Sequence, residues 1–435
     1  MNTVVSPASL SGTLAVMPSK SASHRAVMMA AMASGQTELA PIQLSEDVKA
    51  TLSCAKALGL IDAPVITPHE IPGFVRVRLS GGQSVMGGSL RTLDCGESGS
   101  TLRFFIPLAL DGRGPVRFVG HGRLMQRPLD VYAQLLRPLG VRWELDEDGL
   151  TVEGCLSSGE YALPGDVSSQ FITGLLLALP RLQGDSTIRI TTPLESRAYV
   201  ELTRRVQQTF GVASRWKDDG QTLYVRGNQS ILSPGHAHVE SDWSHAAFYL
   251  VAGAIGSGGM LRLTGLDQSS AQGDRQILRV LDQMGAVLCC DSDGLTVCSS
   301  RLRCANVDAS QIPDLVPVLA VAMAAAEGES RITGAARLRI KESDRLSAMC
   351  AALSAAGADV QELPDGLIIR GGKPLHAARI DGCNDHRIVM AMAVAAAISS
   401  GNLTITDAQA VAKSAPAFWT EYASLGGIAA PGAQG

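Results

Sequence analysis

Apolar residues gather along this chain in six long runs, each opened by polar residues and closed by a glycine: residues 24–35, 100–112, 168–184, 244–258, 313–328 and 385–401. The closing glycines follow one another at steps of 77, 72, 74, 70 and 73 residues. Runs of this length make three or four helical turns. Being apolar on nearly every face, they predict buried helices, with the glycine as a C-cap. An alternating stretch follows nearly every run, at 116–119, 187–190, 261–264, 331–333 and 403–406, and predicts a strand.

A second signature shares the period. Amphipathic helices end at Gly59, Gly140, Gly211, Gly285, Gly357 and Gly426, at steps of 81, 71, 74, 72 and 69 residues. Four of them lead into paired alternating stretches around Asp148-Gly149, Asp219-Gly220, Asp293-Gly294 and Asp365-Gly366, and Asp-Gly in that setting marks a hairpin. Each repeat therefore reads helix, strand, helix, hairpin. A unit of roughly seventy residues is too long for an ordinary solenoid, and six of them suit two domains of three. The boundary falls near 233–238, and an extra strand at 12–17 can pair in either half. Right-handed crossovers and mixed strands make the class α/β, or α+β by another convention.

Composition narrows the setting. The chain has 435 residues, 46% hydrophobic and 18% charged, so it fills large cores and is not disordered. A net charge of −4 offers no general attraction for nucleic acid or membrane, and 4% aromatics leave few platforms for stacking bases. No apolar run reaches the roughly 18 residues that span a bilayer, and 1–10 lacks the marks of a signal peptide. Nine cysteines without a CxxC spacing predict free, mostly structural thiols in a reducing cytoplasm. His236 and His238 fall in an expected loop with no nearby ligand, which argues against a metal.

The chemistry lies at the helix starts. Ser19-Lys20-Ser21-Ala22-Ser23-His24-Arg25, Glu97-Ser98-Gly99-Ser100-Thr101-Leu102-Arg103, Ser168-Ser169-Gln170 and Asn384-Asp385-His386-Arg387 are strongly polar. Serine, Asp and Asn there serve as N-caps. Capping does not explain Lys20, Arg25, Arg103 and Arg387, because the helix dipole disfavours cations at that end. An anion between cation and helix would, with backbone N–H groups and hydroxyls completing a phosphate or carboxylate site. Arg123 and Arg127 lie in a loop bounded by Gly122 and Pro128, Lys413 is isolated among apolar residues, and Lys341 and Arg345 are expected on one face of an amphipathic helix with Glu342 beside them.

Together these segments resemble the 5-enolpyruvylshikimate-3-phosphate synthase family of enolpyruvyl transferases. The matching stretches, in order, are Pro18-Ser-Lys-Ser-Ala-Ser-His-Arg25, Glu97-Ser-Gly-Ser-Thr-Leu-Arg103, Ser168-Ser-Gln170, Ile340-Lys-Glu-Ser-Asp-Arg345, Asn384-Asp-His-Arg387 and Val411-Ala-Lys413. The resemblance runs from about 12 to 425. It implies two similar domains, each of three βαβαββ units, with the active site in the interdomain cleft. The domains would comprise 19–237 and, with the first strand, 1–18 plus 238–435. It also implies transfer of the enolpyruvyl group of phosphoenolpyruvate to shikimate 3-phosphate, in the pathway to chorismate and aromatic amino acids, by a cytoplasmic monomer needing no cofactor or metal. Glyphosate inhibition is a further expectation.

By resemblance, shikimate 3-phosphate meets Lys20, Ser21, Arg25, Ser168, Ser169, Gln170, Ser196, Tyr199, Asp314 and Lys341. Phosphoenolpyruvate meets Lys20, Gly99, Arg127, Gln170, Glu342, Arg345, His386, Arg387 and Lys413. Asp314 would take the hydroxyl proton, and Glu342 or Lys20 would protonate the methylene carbon. A carboxylate amid cations is held ionised, which suits a base better than an acid. Three positions depart from the family's usual pattern: Ser19 precedes Lys20 without the Pro-Gly-x-Lys glycine, Glu97 replaces an Asn, and Arg337 replaces an Asn that contacts shikimate hydroxyls. The alternatives are the related transferase acting on UDP-N-acetylglucosamine, whose loop cysteine the segment 122–128 lacks, and a non-catalytic anion-binding protein of the same fold.

Overall fold

The computed structural model describes residues 1–82 and 89–432. The chain forms two compact units: a continuous one, Lys20–Val239, and a split one made of Met1–Ser19 with Glu240–Gly435.

In the continuous unit, helices α1 (Lys20–Met32), α2 (Glu46–Ala57), α3 (Gly99–Ala109), α4 (Asp130–Leu136), α5 (Ser169–Ala178) and α6 (Arg197–Thr209) alternate with three four-stranded sheets. Each sheet repeats one plan. Arg91–Asp94 runs parallel to Val116–Val119, which pairs antiparallel with the hairpin strand Leu150–Glu153, itself paired to Arg142–Leu145. Glu160–Leu163 and Ser186–Ile190 begin the second such sheet, while His236–His238 and Gly35–Ile42 begin the third. The histidines at 236 and 238 thus stand in a strand and not in a loop.

The split unit repeats the plan with α7 (Trp243–Ile255), α8 (Ile277–Gln283), α9 (Val316–Ala325), α10 (Arg345–Ala355), α11 (His386–Ala395) and α12 (Phe418–Ser424). The extra strand settles here, Gly12–Ala15 lying parallel to Met260–Thr264. A strand that the hydrophobic pattern did not reveal, Thr3–Ser6, lies between Leu403–Ile405 and Ile428–Pro431 and completes the last sheet. Where the chain passes from one unit to the other, Ser19 N–H donates to the Glu240 carbonyl at 2.7 Å and Asp242 N–H to that of Met17 at 2.9 Å.

The odd-numbered helices are cores in themselves. Val27 to Ala31 of α1, Phe104, Phe105 and Ile106 of α3, Leu175 to Leu177 of α5 and Val318 to Met323 of α9 are all buried. Burial on every side is what the unbroken apolar runs require. The even-numbered helices bury one face each and end as expected. Gly59, Gly140, Gly211, Gly285, Gly357 and Gly426 all take positive φ, between +76° and +91°, a conformation that costs other residues about 1 kcal/mol or more. The glycines after the odd helices do different work. The residues capping α1's neighbours α3 and α5 are Leu110 and Leu179, and Gly35 and Gly328 instead open the next strand. All nine cysteines are free, but only Cys54 and Cys95 are buried while Cys155, Cys289, Cys290 and Cys304 are exposed, so most are not core thiols.

Candidate active site

The candidate residues form one cluster in each unit. In the continuous unit they sit at the N-terminal ends of α1, α3, α5 and α6. Lys20 opens α1 with no acidic residue in the first turn, and its Nζ lies 2.8 Å from Asp47 Oδ2 in the first turn of α2. Arg25 is buried. Its Nε donates to Thr203 Oγ1 at 2.8 Å, Nη1 to the Ser21 carbonyl at 2.7 Å, and Nη2 to Thr173 Oγ1 and the Tyr199 carbonyl at 3.3 and 3.2 Å. All these acceptors are neutral, and burial pulls the guanidinium down to about 10. Its Cζ stands 5.8 Å from the Tyr199 ring centroid.

Ser168 caps α5, accepting from the Gln170 N–H at 3.3 Å, with Ser169 buried beside it. The Gln170 amide is oriented from both ends: Oε1 accepts from Arg103 Nη1 at 2.8 Å, and Nε2 donates to Ser100 Oγ at 3.0 Å. Arg103 also donates to the Pro128 carbonyl at 3.0 Å, tying α3 to the end of the arginine loop. A Cβ at Gly99 would lie 2.7 Å from Arg127 Nη1 and 2.9 Å from Arg103 Nη1. The glycine thus admits two guanidinium groups against the start of α3. Ser196, ahead of α6, is buried in a left-handed conformation at φ +51°. The Glu97 carboxylate packs on Gly122 of the arginine loop, where a Cβ would come within 2.7 Å of Oε2.

The split unit is organised around Arg345, which begins α10 and is 1% exposed. Its Nε lies 2.8 Å from Asp385 Oδ2, Nη2 2.7 Å from Glu342 Oε2 and Nη1 3.1 Å from Asp314 Oδ1. The three carboxylates hold the guanidinium well above its ordinary value against the opposing effect of burial. Asp385 is fully buried at the N-cap of α11, accepting also from Ser343 Oγ at 3.0 Å and the Arg387 N–H at 2.9 Å. Burial alone would raise its carboxyl, but Arg345 reverses the sign and holds it below the usual carboxylate range. Asp314 lies in the 3-10 turn Pro313–Leu315, its Oδ2 3.2 Å from Arg387 Nη2 and its carbonyl 3.0 Å from Arg387 Nη1. Lys413 Nζ donates to the Asn384 carbonyl at 2.6 Å. His386, the first residue of α11, is buried, with Nδ1 4.0 Å from Asp385 Oδ1.

Lys341 departs from expectation. The segment ahead of α10 is a 3-10 helix, Ala336–Ile340, with Lys341 in extended backbone after it, so Lys341 and Arg345 share no helical face. Desolvation pulls its ammonium down to about 8, opposed by Asp314 and assisted by Arg337 and Arg345. Arg337 is buried and donates to the Ser310 carbonyl at 2.7 Å. The premise that only a ligand anion explains cations at helix starts also needs correction, since the protein supplies partners of its own for Lys20, Arg25, Arg103 and Arg387. Sequence reasoning gave no site role to Asp47 or Asp385, which pair with Lys20 and Arg345, and singled out Arg103 only as a helix-start cation without naming its partners. Arg103 and Asp385 stand inside motifs that were noticed, whereas Asp47 looks like an ordinary first-turn acid after the Ser45 N-cap.

Comparison with known proteins gives a consistent result. Residues 4–422 match the model of the family described as EPSP synthase (3-phosphoshikimate 1-carboxyvinyltransferase). The chain is 42% identical over 430 residues to the 3-phosphoshikimate 1-carboxyvinyltransferase of Clostridium novyi, covering 98% of each chain. It is 40% identical over 428 residues to that of Clostridium perfringens, again over 98% of both. Among solved structures, EPSP synthase from Acinetobacter baumannii superposes with a TM-score of 0.79 at 27% identity, over 99% of this chain and 100% of that one. The enolpyruvyl transferase NikO from Streptomyces tendae shares the fold, with a TM-score of 0.77 at 17% identity over 99% and 98% of the two chains.

Proposed function

The chain belongs to the EPSP synthase family, and on that premise we propose that it transfers the enolpyruvyl group of phosphoenolpyruvate to the 5-hydroxyl of shikimate 3-phosphate, releasing phosphate, with Asp314 as the base. The observation that carries the reading is the Asp314 carboxylate lying 3.1 Å from Arg345 Nη1 and 3.2 Å from Arg387 Nη2. The hydroxyl oxygen adds to C2 of phosphoenolpyruvate as its proton passes to Asp314. The methylene carbon takes a proton from Glu342 or Lys20, giving a phospholactoyl intermediate. Loss of a methyl proton then expels phosphate and restores the double bond. Both substrates are anions, so charge neutralisation and positioning supply much of the acceleration.

In this reading the shikimate phosphate lies on Ser168, Ser169 and Ser196, with Gln170 alongside. Ser21 and Arg25 take the shikimate carboxylate, Tyr199 packs by the ring, and Lys341 reaches the ring hydroxyls. Four donor contacts of Arg25 already go to neutral protein acceptors, which fixes the direction in which its remaining N–H points. Phosphoenolpyruvate meets Lys20, Arg127 and Gln170 near Gly99, together with Arg345, His386, Arg387 and Lys413, and competes with Glu342 and Asp314 for the two arginines. The working form is a cytoplasmic monomer without cofactor, and nine free thiols fit a reducing compartment.

The test is phosphate release by the purified protein with phosphoenolpyruvate and, in separate reactions, shikimate 3-phosphate or UDP-N-acetylglucosamine. Release with shikimate 3-phosphate alone is expected. Release only with the sugar nucleotide, or none with either from a folded protein, overturns the reading.

A further inference from the structure

Asp274 is a buried carboxyl for which the reaction as described has no use. It lies in the 3-10 turn Gly273–Gln276 and is 2% exposed. Its Oδ2 accepts the hydroxyl of Ser244 in the first turn of α7, and its Oδ1 meets no donor among the described residues. The turn carrying Asp274 and the turn carrying Asp314 pack on the same helix, α7. The charged groups that act on Asp274 are Asp314, Arg387 and Asp242, the last being the N-cap of α7 whose Oδ1 accepts from the His245 N–H at 2.9 Å.

A structural buried aspartate is ordinarily paired, as Asp385 is by Arg345, Ser343 and a backbone N–H. Asp274 has one hydroxyl. Burying a carboxyl with so little compensation is costly, and the outcome differs in sign: Asp385 is held low, whereas burial first and Asp314 second push Asp274 up to about 7, with Arg387 and Ser244 opposing.

We propose that Asp274 is a positioning residue for proton transfer, a buried carboxyl whose turn packs with that of Asp314 on α7 and whose negative charge strengthens Asp314 as a base. This rests on the reading that Asp314 takes the hydroxyl proton. Arg345 and Arg387 lie against the Asp314 carboxylate; cations so placed weaken a carboxylate's hold on an incoming proton, and a base works best when its affinity for the proton lies near the working pH. The like charge of Asp274, which interacts with Asp314, offsets part of that loss. Asp274 touches neither substrate. It exchanges its own proton with solvent, neutral in acid and ionised in mild alkali.

The turnover number of the full chain should therefore rise through about pH 7 between two plateaus, as Asp274 ionises. Asp274→Asn keeps an acceptor for Ser244 and removes the charge. It should lose the rise, with kcat lowered roughly three- to tenfold at about pH 8 and less at about pH 6, and both KM values within about twofold. Ser244→Ala keeps the charge but removes the donor that favours the ionised form, so its rise should move to higher pH. An Asp274→Asn profile that overlays the wild type, or falls equally at every pH, overturns the proposal. If that variant does not fold, an unmoved rise in Ser244→Ala does the same. Wild-type protein that releases no phosphate with shikimate 3-phosphate, or Asp314→Asn with full turnover, refutes the assignment of Asp314 instead.

Discussion

The two units share one architecture but balance their cations differently. In the continuous unit Arg25 and Arg103 donate to hydroxyls, carbonyls and an amide, while Lys20 pairs with the carboxylate of Asp47. In the split unit Arg345 meets the carboxylates of Asp314, Glu342 and Asp385, and Arg387 meets that of Asp314. Neutral acceptors orient a guanidinium without cancelling its charge, which leaves it attractive to an incoming anion. Carboxylates cancel the charge and introduce groups that exchange protons. On the proposed reading, the cluster of the continuous unit holds anions, and that of the split unit also moves protons.

Substitutions can break that contrast. The largest effect is expected from Asp314→Asn, which should lower kcat by roughly 10³-fold while leaving the dissociation constant for shikimate 3-phosphate within a few-fold. Phosphate release and calorimetric titration measure the two quantities, and unchanged turnover would return proton transfer to the other unit. Next comes Asp385→Asn, which removes a buried charge facing Arg345 and should cost about 3 kcal/mol in urea unfolding at neutral pH. Because the folded-state carboxyl is held low, its contribution is complete above the unfolded value of roughly 3.9 and is lost as the pH falls through the folded value. The gap between variant and wild type should therefore narrow in acid, and a constant gap down to about pH 3 would show that the ion pair is not its source.

Arg25→Lys should raise KM for shikimate 3-phosphate about tenfold with kcat nearly unchanged, since a lysine cannot reproduce four fixed donor contacts. A matching fall in kcat would extend the proton-handling role to the continuous unit. The smallest effects separate capping from binding. Ser98→Ala and Ser168→Ala should each cost about 1 kcal/mol in stability through a lost N-cap, and of the two only Ser168→Ala should raise KM for shikimate 3-phosphate.

Much of the fold was legible because certain positions have one local solution. The glycines closing the even helices had to follow the last turn, where a left-handed residue is needed, and the Asp-Gly pairs had to sit between strands. The glycines after the odd helices depart from that rule, because a glycine that suits a cap also suits a strand start, and Gly35 and Gly328 open strands. Lys341 was misassigned because a four-residue spacing to Arg345 suits a helix, yet a 3-10 turn and an extended residue come between. The candidate residues were legible as motifs, but the partners the structure gives them were not. Arg345 finds Asp385 40 positions away and Lys20 finds Asp47 27 positions away, distances at which local pattern carries no information. Thr3–Ser6 was invisible because, although its burial alternates, its sequence Thr-Val-Val-Ser sets two valines side by side and carries no period of two.

That short strand has a consequence for synthesis. It lies between partners at Leu403–Ile405 and Ile428–Pro431, so on the ribosome it must wait unpaired while roughly 400 residues are added. The continuous unit acquires its last strand, His236–His238, far earlier, and domains tend to fold as units in the order they emerge. The nascent chain therefore carries an open strand edge ahead of an already closed unit, a segment suited to capture by a chaperone and exposed to mispairing with a second nascent chain.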